Sequence, residues 1–219
     1  MAMIVVFSVI KELAGTTHTP GVEYPLFLAL SFVAYNMFKN IVFKSMDAFS
    51  ANKALFVYKQ VLPFDTLISR FIIEISLSSI VFTLLLFIGW YIGLEIRCDN
   101  ILGVLLGFLW IAIFGFSLGI FFAVLSFFYE NFGKVVKLIF LPMFFLSALF
   151  YSVESLPPFA REIIVYNPVV NFMELIHGEF FLTLDTFYVD YMYMVFWTLV
   201  PLFLGLWLYK RSQRKIIMS

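Results

Sequence analysis

Charge is scarce in this sequence: only 13% of its 219 residues are Asp, Glu, Lys or Arg, and 63% are hydrophobic. A soluble domain carries about 25% charged and about 45–50% apolar residues, so the bilayer is the expected solvent. The formal net charge is zero, which leaves no basic field for nucleic acid and no acidic field for a cationic partner. Cysteine is down to Cys98 alone, which excludes an intrachain disulfide. No Gly-x-x-x-x-Gly-Lys-Ser/Thr phosphate loop is present, because Gly133-Lys134 lacks the earlier glycine, so this chain does not hold ATP in that known way. His18 and His177 lie on separate segments far apart in sequence, and no Cys or His spacing of a metal site accompanies them. No soluble-enzyme constellation stands out, and no cofactor or metal is expected in this chain.

What the sequence has in abundance is apolar runs. Stretches long enough to cross a bilayer extend from about Tyr24 to Phe43, Leu67 to Leu94, Ile101 to Phe128, Val135 to Val153 and Phe187 to Tyr209. The opening MAMIVVFSVI is about half of the ~20 residues that a span needs, and it lacks a basic leader and a small-residue cleavage site, so a truncated first span is expected in place of a signal peptide. The expectation is an all-α membrane protein, a polytopic bundle of about six spans with the first truncated, forming one transmembrane domain over 1–219.

The breaks between these runs sort the cations. Alternating sides places Lys39, Lys44, Lys53, Lys59, Arg70, Lys134, Lys137, Lys210, Arg211, Arg214 and Lys215 together, and leaves Lys11, Arg97 and Arg161 opposite. The positive-inside rule makes the first side, with the C-terminus, cytoplasmic.

Between the last two spans, Glu154 to Thr186 is apolar enough to enter a membrane and too broken to cross it. Pro157 and Pro158 can open a short helix that must stop before Pro168. Asn167 is then placed to cap a second helix, with Pro168 in its first turn, running to about Phe181. Asn171, Glu174 and Gly178 fall on one of its faces, with His177 beside them. Two short amphipathic helices on the outer side predict a re-entrant hairpin, a candidate outer gate or an interfacial lid.

Other polar residues carry two readings each. Asn36, Lys39, Asn40, Phe43, Lys44 and Asp47 recur at three- and four-residue steps and form one polar edge, either a substrate entry path or lysines snorkelling to the inner interface. Arg70 and Glu74, four apart on the third span, can pair with each other or serve the same path. Gly89 and Gly93, Gly103 and Gly107, and Gly115 and Gly119 are small-xxx-small pairs that let helices approach. Pro142 is a tolerated kink. Aromatic residues make up 21% of the chain, and some can stack on sugar rings while most face lipid or core. On the cytoplasmic side Asn52, Lys53, Leu55, Phe56, Tyr58 and Lys59 form an apolar and basic knob before Pro63, suited to docking on a soluble partner. A smaller knob holds Tyr129, Glu130, Phe132 and Lys134.

Four passages carry a resemblance: YPLFLALSFVAYNMFKN, ANKALFVYKQVLPFDTLISRFIIEI, FFYENFGKVVK and LPPFAREIIVYNPVVNFMELIHGEFF. In order, spacing and topology they resemble the permease subunits of capsule polysaccharide ABC exporters, the KpsM-like proteins, from about Leu13 to the tail. The resemblance implies a homodimeric six-span permease of the inner membrane, joined to two ABC ATPase subunits that hold ATP and Mg. It implies that Ala51 to Gln60 is the coupling helix and that Glu154 to Phe181 forms the periplasmic gate helices. The implied cargo is a lipid-linked, usually acidic, polysaccharide, with periplasmic and outer-membrane export proteins as further partners. O-antigen and teichoic acid permeases resemble the same family, and a small-molecule efflux permease is the more distant alternative. Such permeases begin with a basic interface helix and a complete first span, whereas this chain starts inside that span, as a misassigned start or a fragment would.

Overall fold

A computed structural model describes residues 23–57 and 61–218. The expected truncated span, Lys11, Glu12 and His18, and Tyr58, Lys59 and Gln60 of the expected coupling segment lie outside the described residues. Among the described residues the chain forms eight α-helices and no strand. They are α1 (Tyr24–Met46), α2 (Ala48–Ala51), α3 (Pro63–Tyr91), α4 (Ile101–Phe128), α5 (Phe132–Phe145), α6 (Pro158–Ile164), α7 (Pro168–Phe180) and α8 (Tyr191–Met218), with short 3-10 turns at Lys53–Val57 and Val153–Ser155. Four of these, α1, α3, α4 and α8, are long and apolar enough to cross a membrane.

Local chemistry sets most of the ends. Pro63 starts α3 because a first-turn residue needs no N–H, and Asp65 reaches back to accept from the Leu62 N–H at 2.9 Å. The helix stops at Gly93, whose φ of +86° is open to glycine at little cost, and the Leu94 N–H bonds back to the Gly89 carbonyl at 3.0 Å. Gly93 is therefore a helix stop, and the expected Gly89/Gly93 packing pair is not one. Asn100 caps α4 by accepting from the Gly103 N–H at 3.1 Å.

The expected span Val135–Val153 does not form. Its helix, α5, has 14 residues and ends at Phe145, roughly 21 Å at 1.5 Å per residue, short of a ~30 Å hydrocarbon core. Pro142 removes one intrahelical hydrogen bond, and Ala148 then turns the chain through a φ of 55°, which an L-residue adopts only when its surroundings impose it.

The chain divides into two compact units, the first made of 23–35, 78–108 and 145–189, the second of 36–77, 109–144 and 190–218. In the first, Gly107 lets α7 press Ile176 against α4, where a Cβ would meet the Ile176 side chain at 2.8 Å. Gly103 likewise lies against Glu179. In the second, Gly115 and Gly119 seat α1 on α4 through Phe38, Ile41 and Ser45, and Gly205 brings α8 to within 2.8 Å of the Phe121 backbone nitrogen, measured from where a Cβ would stand. Charge follows the same division. The second unit holds ten Lys or Arg against five Asp or Glu, and the first holds two against eight, among the described residues.

Candidate functional site

In the second unit α1 is enclosed along most of its length, and the only side chains that leave the core between Asn36 and Ser50 are Asn36, Lys39, Asn40, Phe43, Lys44, Asp47 and Ser50. The expected polar edge is thus real, because its three- and four-residue steps keep these residues in one line along the helix. Lys39 Nζ donates to Asn36 Oδ1 at 2.8 Å, which orients the ammonium along the edge. Lys137 on α5 joins it, at 3.0 Å from Asp47 Oδ2 and 5.9 Å from the Phe43 ring centroid. Phe140, one turn along α5, packs on Phe38 and Phe43 with centroids 5.7 and 4.9 Å away. The edge therefore offers cations, amides and an aromatic ring side by side, a chemistry suited to anionic, polyhydroxylated groups.

Arg70 and Glu74 do not pair. Among the described residues the ion pairs are Arg97–Glu95, Lys137–Asp47 and the His177–Glu174 contact. Glu74 is buried at 7% exposure while Arg70 is partly buried, and the four-residue spacing does not bring their charged ends together.

The knob before α3 also changes. Leu55 is 45% exposed, but Phe56 is 5% exposed and packs in a core with Phe49, Leu67, Ile120, Val124, Tyr209 and Ile216. Phe56 is therefore an anchor of this unit and not a free docking side chain. Asn52 is also turned inward, its Nδ2 donating to the Ala48 carbonyl at 2.8 Å, whereas Lys53 is exposed. In place of a continuous helix, the described part of Ala51 to Gln60 is the end of α2 and a 3-10 turn. In the smaller knob Glu130 and Lys134 are exposed, Lys134 donates to Asn131 Oδ1 at 3.1 Å, and half-buried Phe132 meets Phe122 edge-on at 5.5 Å.

In the first unit the two helices split at Asn167-Pro168 are present where expected, and they differ in kind. α6, opened by Pro157 and Pro158, has no buried residue, whereas α7 buries ten of its 13. The expected amphipathic lid is thus half core, and its polar face points inward. Asn167 Oδ1 caps α7 by accepting from Val169 N–H at 3.1 Å, and its Nδ2 donates to the Leu146 carbonyl at 2.9 Å and to Ser147 Oγ at 3.2 Å. Asn171 Nδ2 donates to the Val165 carbonyl at 3.0 Å, and Glu174 Oε1 accepts from the Val153 N–H at 2.9 Å. The bonds to the Leu146 and Val165 carbonyls and to the Val153 N–H serve peptide groups of the chain that leads from α5 to α7, where helix ladders are interrupted.

His177 completes this face, with Nε2 2.8 Å from Ser31 Oγ, Nδ1 3.9 Å from Glu174 Oε1 and its ring 4.1 Å from that of Phe27. The order of groups is that of a nucleophile, a base and a carboxylate. All three are sealed in the core, Ser31 Oγ donates to the Phe27 carbonyl at 2.8 Å, and the carboxylate is bound to Val153, so the cluster is a tie between α1 and α7.

Comparison with known proteins decides the family. Residues 1–181 match the family model of ABC-2 type transporter membrane proteins. The chain belongs to the ABC-2 transporter family. Among its relatives, the polysialic acid transport protein KpsM of Escherichia coli is 28% identical over 200 residues, covering 91% of this chain and 78% of that protein. The capsule polysaccharide export inner-membrane protein CtrC of Neisseria meningitidis is 30% identical over 174 residues, 78% of this chain and 64% of its own length. BexB of Haemophilus influenzae, also a capsule polysaccharide export inner-membrane protein, is 26% identical over 181 residues, 82% of this chain and 68% of its own. As an ABC-2 family member with four apolar helices of spanning length, the chain is a multi-pass membrane protein.

Proposed function

We propose that this chain is the transmembrane subunit of an ABC exporter that moves capsular polysaccharide across the bacterial inner membrane, with a separate ATPase subunit supplying the energy. The observation that carries the reading is the likeness to three differently named capsule or polysialic acid export proteins over 78% to 91% of the chain. A hydroxyl-rich glycan cannot enter hydrocarbon without losing its hydrogen bonds to water, so its exit needs a protein-lined path. Asn36, Lys39 and Asn40, with Lys137 beside Asp47, form the edge proposed to meet the acidic, lipid-linked chain, and Arg70 and Glu74 extend that path along α3. Two copies of the chain are proposed to line it. Lys53, Leu55, Glu130 and Lys134 are the exposed groups proposed to seat the ATPase, with Tyr58 and Lys59 as further candidates and Phe132 as support. The excess of Lys and Arg in the second unit supports a cytoplasmic placement for these residues and for the C-terminus. Pro157, Pro158, Asn167, Pro168, Glu174 and His177 belong to the proposed outer closure, in which α6 is the exposed part and α7 its fixed base.

The test is deletion of this chain in its native cell, followed by fractionation of the glycan. Intracellular accumulation of lipid-linked capsular chains, with loss from the surface and recovery on re-expression, is the expected result. Normal surface capsule in the deletion strain would refute the assignment, and loss of a different surface glycan would replace its cargo.

A further inference from the structure

The end of α8 carries four cations, Lys210, Arg211, Arg214 and Lys215, all exposed, while Tyr209, Ser212 and Ile216 on the opposite side are buried. None of the four pairs with a carboxylate among the described residues. At 3.6 residues per turn they stand directly above Phe203, Leu204 and Trp207, which are exposed and apolar in the spanning part of the same helix. One continuous face of α8 is thus apolar where it crosses the hydrocarbon and cationic where it leaves it.

The cations are also drawn back toward the bilayer. Long side chains on a helix slope toward its N-terminus, and here the Arg211 guanidinium lies 5.5 Å from the Trp207 ring centroid, while Lys215 Nζ lies 5.9 Å from that of Phe128, the exposed last residue of α4. Exposed Trp marks the headgroup level of a span. A face whose lower part lies against acyl chains, and whose cations sit at the Trp level with no ion-pair partner among the described residues, meets headgroups first.

From this continuity we infer that the C-terminal face of α8 is a binding site for anionic phospholipid, with Lys210, Arg211, Arg214 and Lys215 holding the headgroup phosphodiesters and Phe203, Leu204 and Trp207 lying along the acyl chains. Each cation that reaches the headgroup layer adds on the order of fivefold enrichment of an anionic lipid. The inference rests on the placement of α8 in a membrane and is independent of the glycan reading.

The test uses the full-length chain in phosphatidylcholine bilayers doped with brominated phosphatidylglycerol or, at the same mole fraction, brominated phosphatidylcholine. The Trp207 signal is the difference between wild type and Trp207→Phe. In wild type the brominated anionic lipid should quench this signal several-fold more effectively, and added salt should erode the difference. In a variant with Lys210→Gln, Arg211→Gln, Arg214→Gln and Lys215→Gln, the two lipids should quench alike. Equal quenching by the two lipids in the wild-type protein would overturn the inference without reference to any variant. Retained preference in the variant would overturn it as well. Loss of the ATPase subunit from the variant in bilayers made only of phosphatidylcholine would assign the face to a protein partner instead.

Discussion

Asn167 makes the structural account quantitative, because one side chain performs two separable tasks. Its Oδ1 caps α7 at the Val169 N–H, and its Nδ2 pins the Leu146 carbonyl and Ser147 Oγ, immediately before the strained Ala148. Replacing it by Ala removes a cap worth about 1 kcal/mol and two hydrogen bonds worth about 0.5–1.5 kcal/mol each. The sum is a loss of roughly 2–4 kcal/mol, compared with about 1 kcal/mol if the residue were a cap alone. Asn167→Asp keeps the cap oxygen, favoured by the N-terminal helix dipole, and loses the two donated bonds, so it should fall between wild type and Asn167→Ala. The assay is denaturant or thermal unfolding of the purified chain in one fixed detergent, with the helical signal followed for all three proteins. A cost for Asn167→Ala below about 0.5 kcal/mol, or an Asp variant as weak as the Ala variant, would refute the argument that this side chain ties α7 to the chain after α5.

Leu55 and Phe56 should separate docking from folding. Phe56→Ala empties a core position and should cost about 3–5 kcal/mol in the same unfolding assay, whereas Leu55→Ala should leave stability unchanged and weaken co-purification of the ATPase subunit; equal behaviour of the two variants would contradict the burial of one and exposure of the other. Gly205→Ala places a methyl against the Phe121 backbone nitrogen, which cannot rotate away, and should destabilise the chain by about 1–3 kcal/mol; an unchanged midpoint would mean that α8 and α4 are not in backbone contact. In a Cys98→Ser background, a cysteine at Gln213 should be shielded from an impermeant thiol reagent in intact cells and one at Glu162 should react; labelling of position 213 from outside would invert the orientation.

Much of the architecture was legible because it depends on short-range rules. α4 has the same ends, Ile101 and Phe128, that its apolar run marked, and Asn167-Pro168 divides two helices because cap preference and proline sterics act within a few residues. The polar edge of α1 was legible for a similar reason, since spacing alone decides which residues share a face. Spacing does not say what that face meets. The polar face of α7 looked like an exposed gate and instead serves peptide groups of the chain that leads from α5 to α7, a demand that exists only once α5 has ended at Phe145. The apolar run from Val135 to Val153 concealed that ending, because hydropathy records composition, not the hydrogen bond that Pro142 removes. Phe56 reads as exposed because its short apolar run lies between Lys53 and Lys59 in a break between two spans, and its burial depends on partners up to 160 residues away, such as Ile216. Arg70 and Glu74 have the spacing of a pair, but spacing permits an ion pair without requiring one, and their charged ends do not meet.

The proposed function is tested most directly by movement of cargo. Inverted inner-membrane vesicles containing this chain and its ATPase subunit are supplied with a lipid-linked acidic capsular glycan and ATP, and the fraction of glycan protected from an external glycan-degrading enzyme is followed with time. Protection should grow only when this chain, the ATPase subunit and ATP are all present, and Lys39→Glu should suppress it without releasing the ATPase, because the edge on α1 would then repel an anionic chain. Glycan that stays accessible with every component present, or becomes protected without this chain, would contradict the account.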